Sequence, residues 1–301
     1  MGLEIRRAEV EKSFHDYTSA YDLGDAKVKL KVDHTFRVAA LSDLIAGSLG
    51  MTGYDKDLAW LLGMLHDIGR FEQIRRYHTF RDALSINHAE LSADILFKDG
   101  LIKRFIDVEN GSFCDESSPD VHALREGLRK NGLLPASSKD YSLIEKAVRL
   151  HNVFQLPDDL MEREYRFATV LRDADKLDIV RVNVETPRST IYNVPEDIFL
   201  ESEISDEVYE AILQCRNLHR SMMKTPADLM LGHVSFVFGL VYPVSVGLMQ
   251  LQGYLETVLQ FPSRNPRIRQ RFAEIHKAVH EYMKKRVKEG IVVGKISGDA
   301  D

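Results

Sequence analysis

Apolar residues recur at helical spacing through almost the whole chain, and runs that alternate apolar with polar residues are scarce. Residues 29–49 place Val38, Leu41 and Ile45 on one stripe with His34, and Gly50 and Gly53 end that pattern. A second helix is expected over 55–66, with Asp55 as its N-cap and Gly69 just past its end. Further helical patterns cover 82–98, 141–152, 162–181, 205–223, 228–260 and 266–288. The best alternating run is IVVGKI at 291–296, near the C-terminal end, and the acidic, turn-rich stretch 107–120 reads as an exposed loop. No internal repeat is visible. The expectation is an all-α protein.

The chain has 301 residues, enough for one large or two small domains at roughly 150 residues each. It is taken as a single domain over 1–301. A hydrophobic content of 44% beside 29% charged residues excludes a mainly disordered chain. The formal charge of -6 supplies no basic field, so no nucleic-acid polymer is expected as a partner. Cys114 and Cys215 form no CxxC, which fits a reducing compartment, and the first residues lack the apolar core of a signal peptide. A cytoplasmic protein is therefore expected. Residues 229–249 carry no formal charge and are long enough to span a bilayer. His233, Ser235, Ser245, Pro243 and the glycines argue instead for a buried helix, or two helices broken at Pro243. That block would complete the core, wall a substrate pocket or form a dimer face, so a homo-oligomer is allowed.

Four histidines and one aspartate stand where the apolar stripes point inward. His66 follows Leu62 by one turn, His151 follows Ala147 and Ile144, Asp175 follows Leu171 and Phe167, and His88 opens a stripe with Leu91 and Ile95. With His34 these make five separate helices, each turning a metal-type ligand toward the interior. One such histidine alone would be read as a satisfied core residue. Buried imidazoles and carboxylates in this number are costly unless they are hydrogen-bonded or bind a metal.

The ordered set His34, then His66-Asp67-Ile68-Gly69, then Asp175 in RDADKLD resembles the H…HD…D signature of the HD-domain metal-dependent phosphohydrolase superfamily. The resemblance covers about residues 28–181 and implies a helical bundle, here with extra C-terminal helices over about 182–290. It implies one divalent ion held by His34, His66, Asp67 and Asp175. His88 in NHAELSADIL and His151 resemble the additional histidines of binuclear members, including cyclic-dinucleotide phosphodiesterases, with Asp67 bridging to the second ion. Many of those members carry a second histidine where this chain has Asn152, so the second ion is expected to bind more weakly. Mixed imidazole and carboxylate ligands suit Mn, Fe, Co, Ni or Zn better than Mg.

The implied activity is cleavage of a phosphate ester of a nucleotide or other small phosphorylated metabolite, by attack of metal-bound hydroxide. Asp67, Arg70, Lys176 and His78 are the candidate catalytic residues, His78 as a general acid. Arg70, Lys176 and Arg37 are the candidate phosphate ligands. Arg75, Arg76, Arg81 and Asp82 lie between metal motifs and are expected to border the pocket, and Asp178 to orient a ligand. A nucleoside triphosphate triphosphohydrolase and a non-catalytic sensor module of the same fold are the alternatives. His276 and His280 are one turn apart, yet Lys277, Lys284 and Lys285 lie around them, and the expectation there is a solvated helix.

Overall fold

A computed structural model of the chain describes residues 5–106, 138–192 and 194–298. Among these residues every regular element is a helix, as the periodicity predicts. The expected loop at 107–120 and Cys114 lie outside the described residues. The chain divides into two compact units, Met1–Leu171 and Arg172–Asp301, and the core expected over 28–181 runs past that division.

The first unit contains α1 (Arg7–Thr18), α2 (Ala26–Ser48), α3 (Gly53–Leu65), α4 (Ile68–Tyr77), α5 (His88–Ala93), α6 (Ser138–Leu150) and the start of α7 (Glu162–Glu185). Asp25 begins α2 by accepting a 2.7 Å hydrogen bond from the Lys27 amide. Helix α3 is the centre of the unit: Leu58 through Leu65 are all buried, as an apolar run around the whole circumference of a helix demands. Gly63 lets α2 cross it closely, since a Cβ there would stand 2.5 Å from Ala39 Cα. Asp55 is not the N-cap. Thr52 holds that position, and Asp55 sits in the first turn, 2.6 Å from the Arg163 guanidinium.

His66 and Asp67 form the joint between α3 and α4, with Asp67 at φ -107° and ψ 16°. Helix α4 follows at once, which the sequence reading did not anticipate because Gly69 looked like a terminator. Gly69 is instead the second residue of α4. A side chain there would stand 2.6 Å from the Ser92 amide nitrogen and 2.9 Å from the His88 carbonyl, so the glycine serves close packing of α4 on α5. The helix expected over 82–98 is three pieces: a 3-10 turn at Asp82–Leu84, then α5, then a π turn at Asp94–Lys98. Asn87 separates the first two by capping α5, its side chain accepting from the Ala89 amide at 3.0 Å.

The second unit holds the rest of α7, then α8 (Arg188–Tyr192), α9 (Glu196–Leu200), α10 (Asp206–Leu213), α11 (Pro226–Val234), α12 (Pro243–Gln252), α13 (Tyr254–Leu259) and α14 (Pro266–Gly298). The uncharged run 229–249 is divided between α11, a 3-10 turn at Ser235–Gly239 and α12. No helix among the described residues is long and apolar enough to cross a membrane. Pro226 and Pro243 each occupy a first helical turn, where the missing N–H costs nothing. Thr225 and Asp228 close a capping box on α11, and Gly253 ends α12 in the left-handed region at φ 73°. The expected helices at 205–223 and 228–260 are accordingly shorter than their periodicity suggests. The alternating run IVVGKI is helical, as the last turns of α14. An alternating run without a partner strand has no ladder to join, whereas a preceding helix offers it backbone partners.

Candidate metal centre

Asp67 lies at the middle of a buried cluster built entirely within the first unit. His34 comes from α2, His66 and Asp67 from the α3–α4 joint, His88 from the start of α5, and His151 from the end of α6. All five are buried. The two oxygens of Asp67 face different histidine pairs. Oδ2 is 3.4 Å from His34 Nε2 and 3.5 Å from His66 Nε2. Oδ1 is 3.5 Å from His88 Nε2 and 3.7 Å from His151 Nε2, and it accepts no hydrogen bond.

The outer nitrogens of three of these rings are fixed. His66 Nδ1 donates to the Gly63 carbonyl at 2.8 Å, and His151 Nδ1 donates to the Val148 carbonyl at 2.7 Å. A carbonyl can only accept, so each Nδ1 carries a proton, and in the neutral ring Nε2 is then the lone pair. His88 Nδ1 is 2.6 Å from Asp82 Oδ2. That carboxyl is held near pH 2: burial opposes its charge, but the His88 contact, Arg70 and a hydrogen bond from Gln73 outweigh it. Burial, with Arg70 nearby, pushes His88 down to about 4 despite the Asp82 contact. At neutral pH His88 is therefore uncharged, with its proton on Nδ1.

These tautomers bring lone pairs together. His88 Nε2 and His151 Nε2 are 3.0 Å apart, and His34 Nε2 and His66 Nε2 are 3.3 Å apart. For neutral His88 and His151, two unprotonated nitrogens at that separation, beside Asp67 Oδ1 with no donor to it, repel one another unless a cation lies among them. The separations match the edge of a coordination shell with bonds of roughly 2.0–2.1 Å. Within this unit the donors fall into two groups that share Asp67: His34, His66 and Asp67; and Asp67, His88 and His151. The residues present fit a divalent transition metal in either group.

Charge around Asp67 is balanced by cations that the sequence only partly revealed. Lys31 Nζ is 2.6 Å from Asp67 Oδ2, and Arg70 Nε is 3.6 Å from Oδ1. Burial alone would raise the Asp67 pKa, but Lys31, His66, His34 and Arg70 hold it well below the usual carboxylate range. Lys31 was missed, although it stands one turn before His34 on the same helix. Arg70 is also committed locally: its guanidinium donates to Gln73 at 2.7 Å, to the Phe80 carbonyl at 2.7 Å and to Asp82 at 3.1 Å. Gln73, likewise missed, donates in turn to Asp82, Ser85 and the Ile86 carbonyl. Asn152 donates to Asn87 at 2.9 Å, so its amide ties the end of α6 to the cap of α5.

His78 is exposed in the left-handed region at φ 53°, where it ends α4, and it is not part of the buried cluster. Arg37 is half-buried on α2, while Arg75, Arg76 and Arg81 are exposed. Arg75 and Arg76 both pair with Glu72. Asp175, Lys176 and Asp178 belong to the second unit, on α7. There Lys176 Nζ donates to the Gly239 carbonyl at 2.7 Å, and burial lowers its pKa to about 8 against the pull of Asp173. Asp173, not singled out from the sequence, accepts from the Val241 and Tyr242 amides and so anchors the start of α12.

Residues 32–180 match the family profile of the HD domain. That stretch of the chain is an HD domain, and through it the protein belongs to the HD-domain superfamily of metal-dependent phosphohydrolases. No curated protein and no solved structure matches the chain.

Proposed function

We propose that this protein hydrolyses a phosphate ester of a nucleotide or other small phosphorylated metabolite at a binuclear centre shared by Asp67. The observation that carries the reading is the division of the Asp67 oxygens between the His34–His66 pair and the His88–His151 pair. His34, His66 and Asp67 would hold one ion; Asp67, His88 and His151 would hold the other. The assignment of Asp175 as a further ligand rests on the family resemblance. Divalent ions there would supply Lewis acidity toward the phosphoryl oxygens and lower the pKa of water.

The protein's own residues prepare that chemistry. Asp82 and the Gly63 and Val148 carbonyls hold the outer ring protons, which keeps three Nε2 atoms basic and aimed at Asp67. Lys31 and Arg70 place two positive charges beside Asp67, where they would draw in an anionic phosphate. Phe80 lies under both cations, with Lys31 Nζ 5.5 Å and the Arg70 guanidinium 5.8 Å from its ring centre, and so steadies them. His78 stands in solvent, and protonation of the leaving oxygen is assigned to water.

The test is phosphate release by chelator-stripped protein reloaded singly with Mn, Zn, Co, Ni, Fe or Mg, against phosphomonoesters, phosphodiesters and nucleoside triphosphates. Turnover of a monoester or diester that needs a transition metal and is lost in Asp67→Asn is the expected result. Release of inorganic triphosphate alone would favour the triphosphohydrolase reading. No turnover with any metal, despite stoichiometric binding, would favour a non-catalytic sensor.

A further inference from the structure

His276 and His280, which the sequence suggests lie on a solvated face, meet a partner from another helix of the second unit. Glu256 on α13 places Oε1 2.8 Å from His276 Nε2 and Oε2 2.6 Å from His280 Nε2. The two imidazoles lie one turn apart on α14, with ring centres 4.4 Å apart and planes 33° from parallel. Gln260 donates at 2.6 Å to Glu256 Oε1, the oxygen that also faces His276. One ligand atom from each of the three side chains falls within 4.8 Å of the others. The side chains of His276, His280 and Glu256 are 36%, 44% and 36% exposed, so water reaches them.

We propose that His276, His280 and Glu256 form a separate binding site for a divalent transition metal ion such as Zn2+, clipping α13 to α14. Two imidazoles one helical turn apart and a carboxylate from a neighbouring helix are a borderline-soft ligand set, suited to Zn, Ni, Co or Cu and unsuited to Mg or Ca. Both imidazoles already converge through Nε2 on one carboxylate, so the hydrogens now between them mark the place an ion takes. Seating it opens the nitrogen–oxygen separations to about 3.3 Å, the edge of a tetrahedron with bonds of roughly 2.0 Å. Small rotations of the half-exposed side chains supply that change. A neutral ring gives up its Nε2 proton by moving to the Nδ1 tautomer, and an imidazolium releases one proton to solvent. Three protein ligands leave a position for water, and the Gln260 bond orients the carboxylate as partners of metal ligands do. The site is independent of the Asp67 centre and of the phosphohydrolase reading.

The test uses the full chain, stripped with chelator and titrated with Zn2+ alone, with bound metal counted after equilibrium dialysis. The double variant His276→Asn/His280→Asn is expected to bind one equivalent fewer than wild type and to keep the others. Glu256→Gln is expected to bind that equivalent at least ten-fold more weakly. In parallel, the wild-type protein is treated with diethyl pyrocarbonate with and without Zn2+, and modified histidines are mapped by mass spectrometry. Protection of His276 and His280 by Zn2+ supports the site even if the double variant fails to fold. Equal metal content in wild type and folded variant, or unprotected rings at saturating Zn2+, would show that the trio is a hydrogen-bonded staple and not a metal site.

Discussion

Lys31 Nζ stands 2.6 Å from Asp67 Oδ2, with both side chains nearly buried. The ammonium therefore occupies one face of the carboxylate that the HD-domain resemblance assigns to metal. Lys31 is the foremost of the groups that keep Asp67 ionised against its burial. Lys31→Met should thus destabilise the metal-free protein by on the order of 3 kcal/mol, the usual cost of leaving a buried charge without its partner. A saturating divalent ion should recover much of that loss by replacing the missing charge. Thermal denaturation with and without Mn checks this, and an equal loss in both conditions would assign Lys31 a role unrelated to the metal charge.

Asp82 fixes the Nδ1 proton of His88 across 2.6 Å. Asp82→Asn removes the negative charge and lets the ring turn. Affinity for the ion held by His88 and His151 should fall roughly 10–100-fold, as loss of such a supporting partner typically does. The ion held by His34 and His66 should remain. Equilibrium dialysis with Mn separates the two, and simultaneous loss of both equivalents would contradict the division of ligands proposed above.

Arg70 is the cation most firmly held beside Asp67, through Gln73, the Phe80 carbonyl and Asp82. Arg70→Ala should weaken transition-state binding by about 2–4 kcal/mol, the range for a preorganised charge. Metal content should be unchanged. Steady-state kinetics beside elemental analysis provides the check, and full activity in this variant would remove Arg70 from the phosphate site.

Gly69 tests a purely structural reading of the motif. A methyl group there meets the Ser92 amide nitrogen at 2.6 Å and the His88 carbonyl at 2.9 Å. Both obstacles are backbone and cannot rotate away. Gly69→Ala should cost about 1–3 kcal/mol by forcing α4 from α5, and should shift His88 with it. Chemical denaturation measures the first effect. Stability equal to wild type would mean that the helix contact yields more easily than its spacing implies.

In the second unit, Glu256 is held near pH 2: burial opposes its charge, but hydrogen bonds from His276 and His280 prevail. A carboxyl whose folded pKa lies below its unfolded value stabilises the protein fully above the unfolded value of about 4.5 and loses that contribution as pH falls toward 2. In chelator, wild type should therefore exceed Glu256→Gln in stability at pH 6, and the gap should narrow progressively below pH 4.5. Denaturation curves at several pH values test the sign. A gap that widens on acidification is the contrary outcome.

Some of this protein was determined by sequence alone. Helical spacing is a property of neighbouring residues, so it marked α2, α3, α6 and α7 without knowledge of any contact. The same spacing turned His34, His66, His88 and His151 toward apolar faces, and the structure buries all four around Asp67. Other features had no local signal. Gly69 reads as a terminator until α5 is seen against it, and the alternation in IVVGKI gives no sign of a helix until α14 is seen to run through it. Lys31 reads as one more lysine in a polar helix until Asp67 comes within 2.6 Å. Asp82 holding His88, and Glu256 joining His276 to His280, are pairings across a turn and between helices. Local pattern fixes which side of a helix is apolar. The charge partner of a buried group, and the atom that crowds a glycine, come from segments distant in sequence, and only packing decides which segment arrives there.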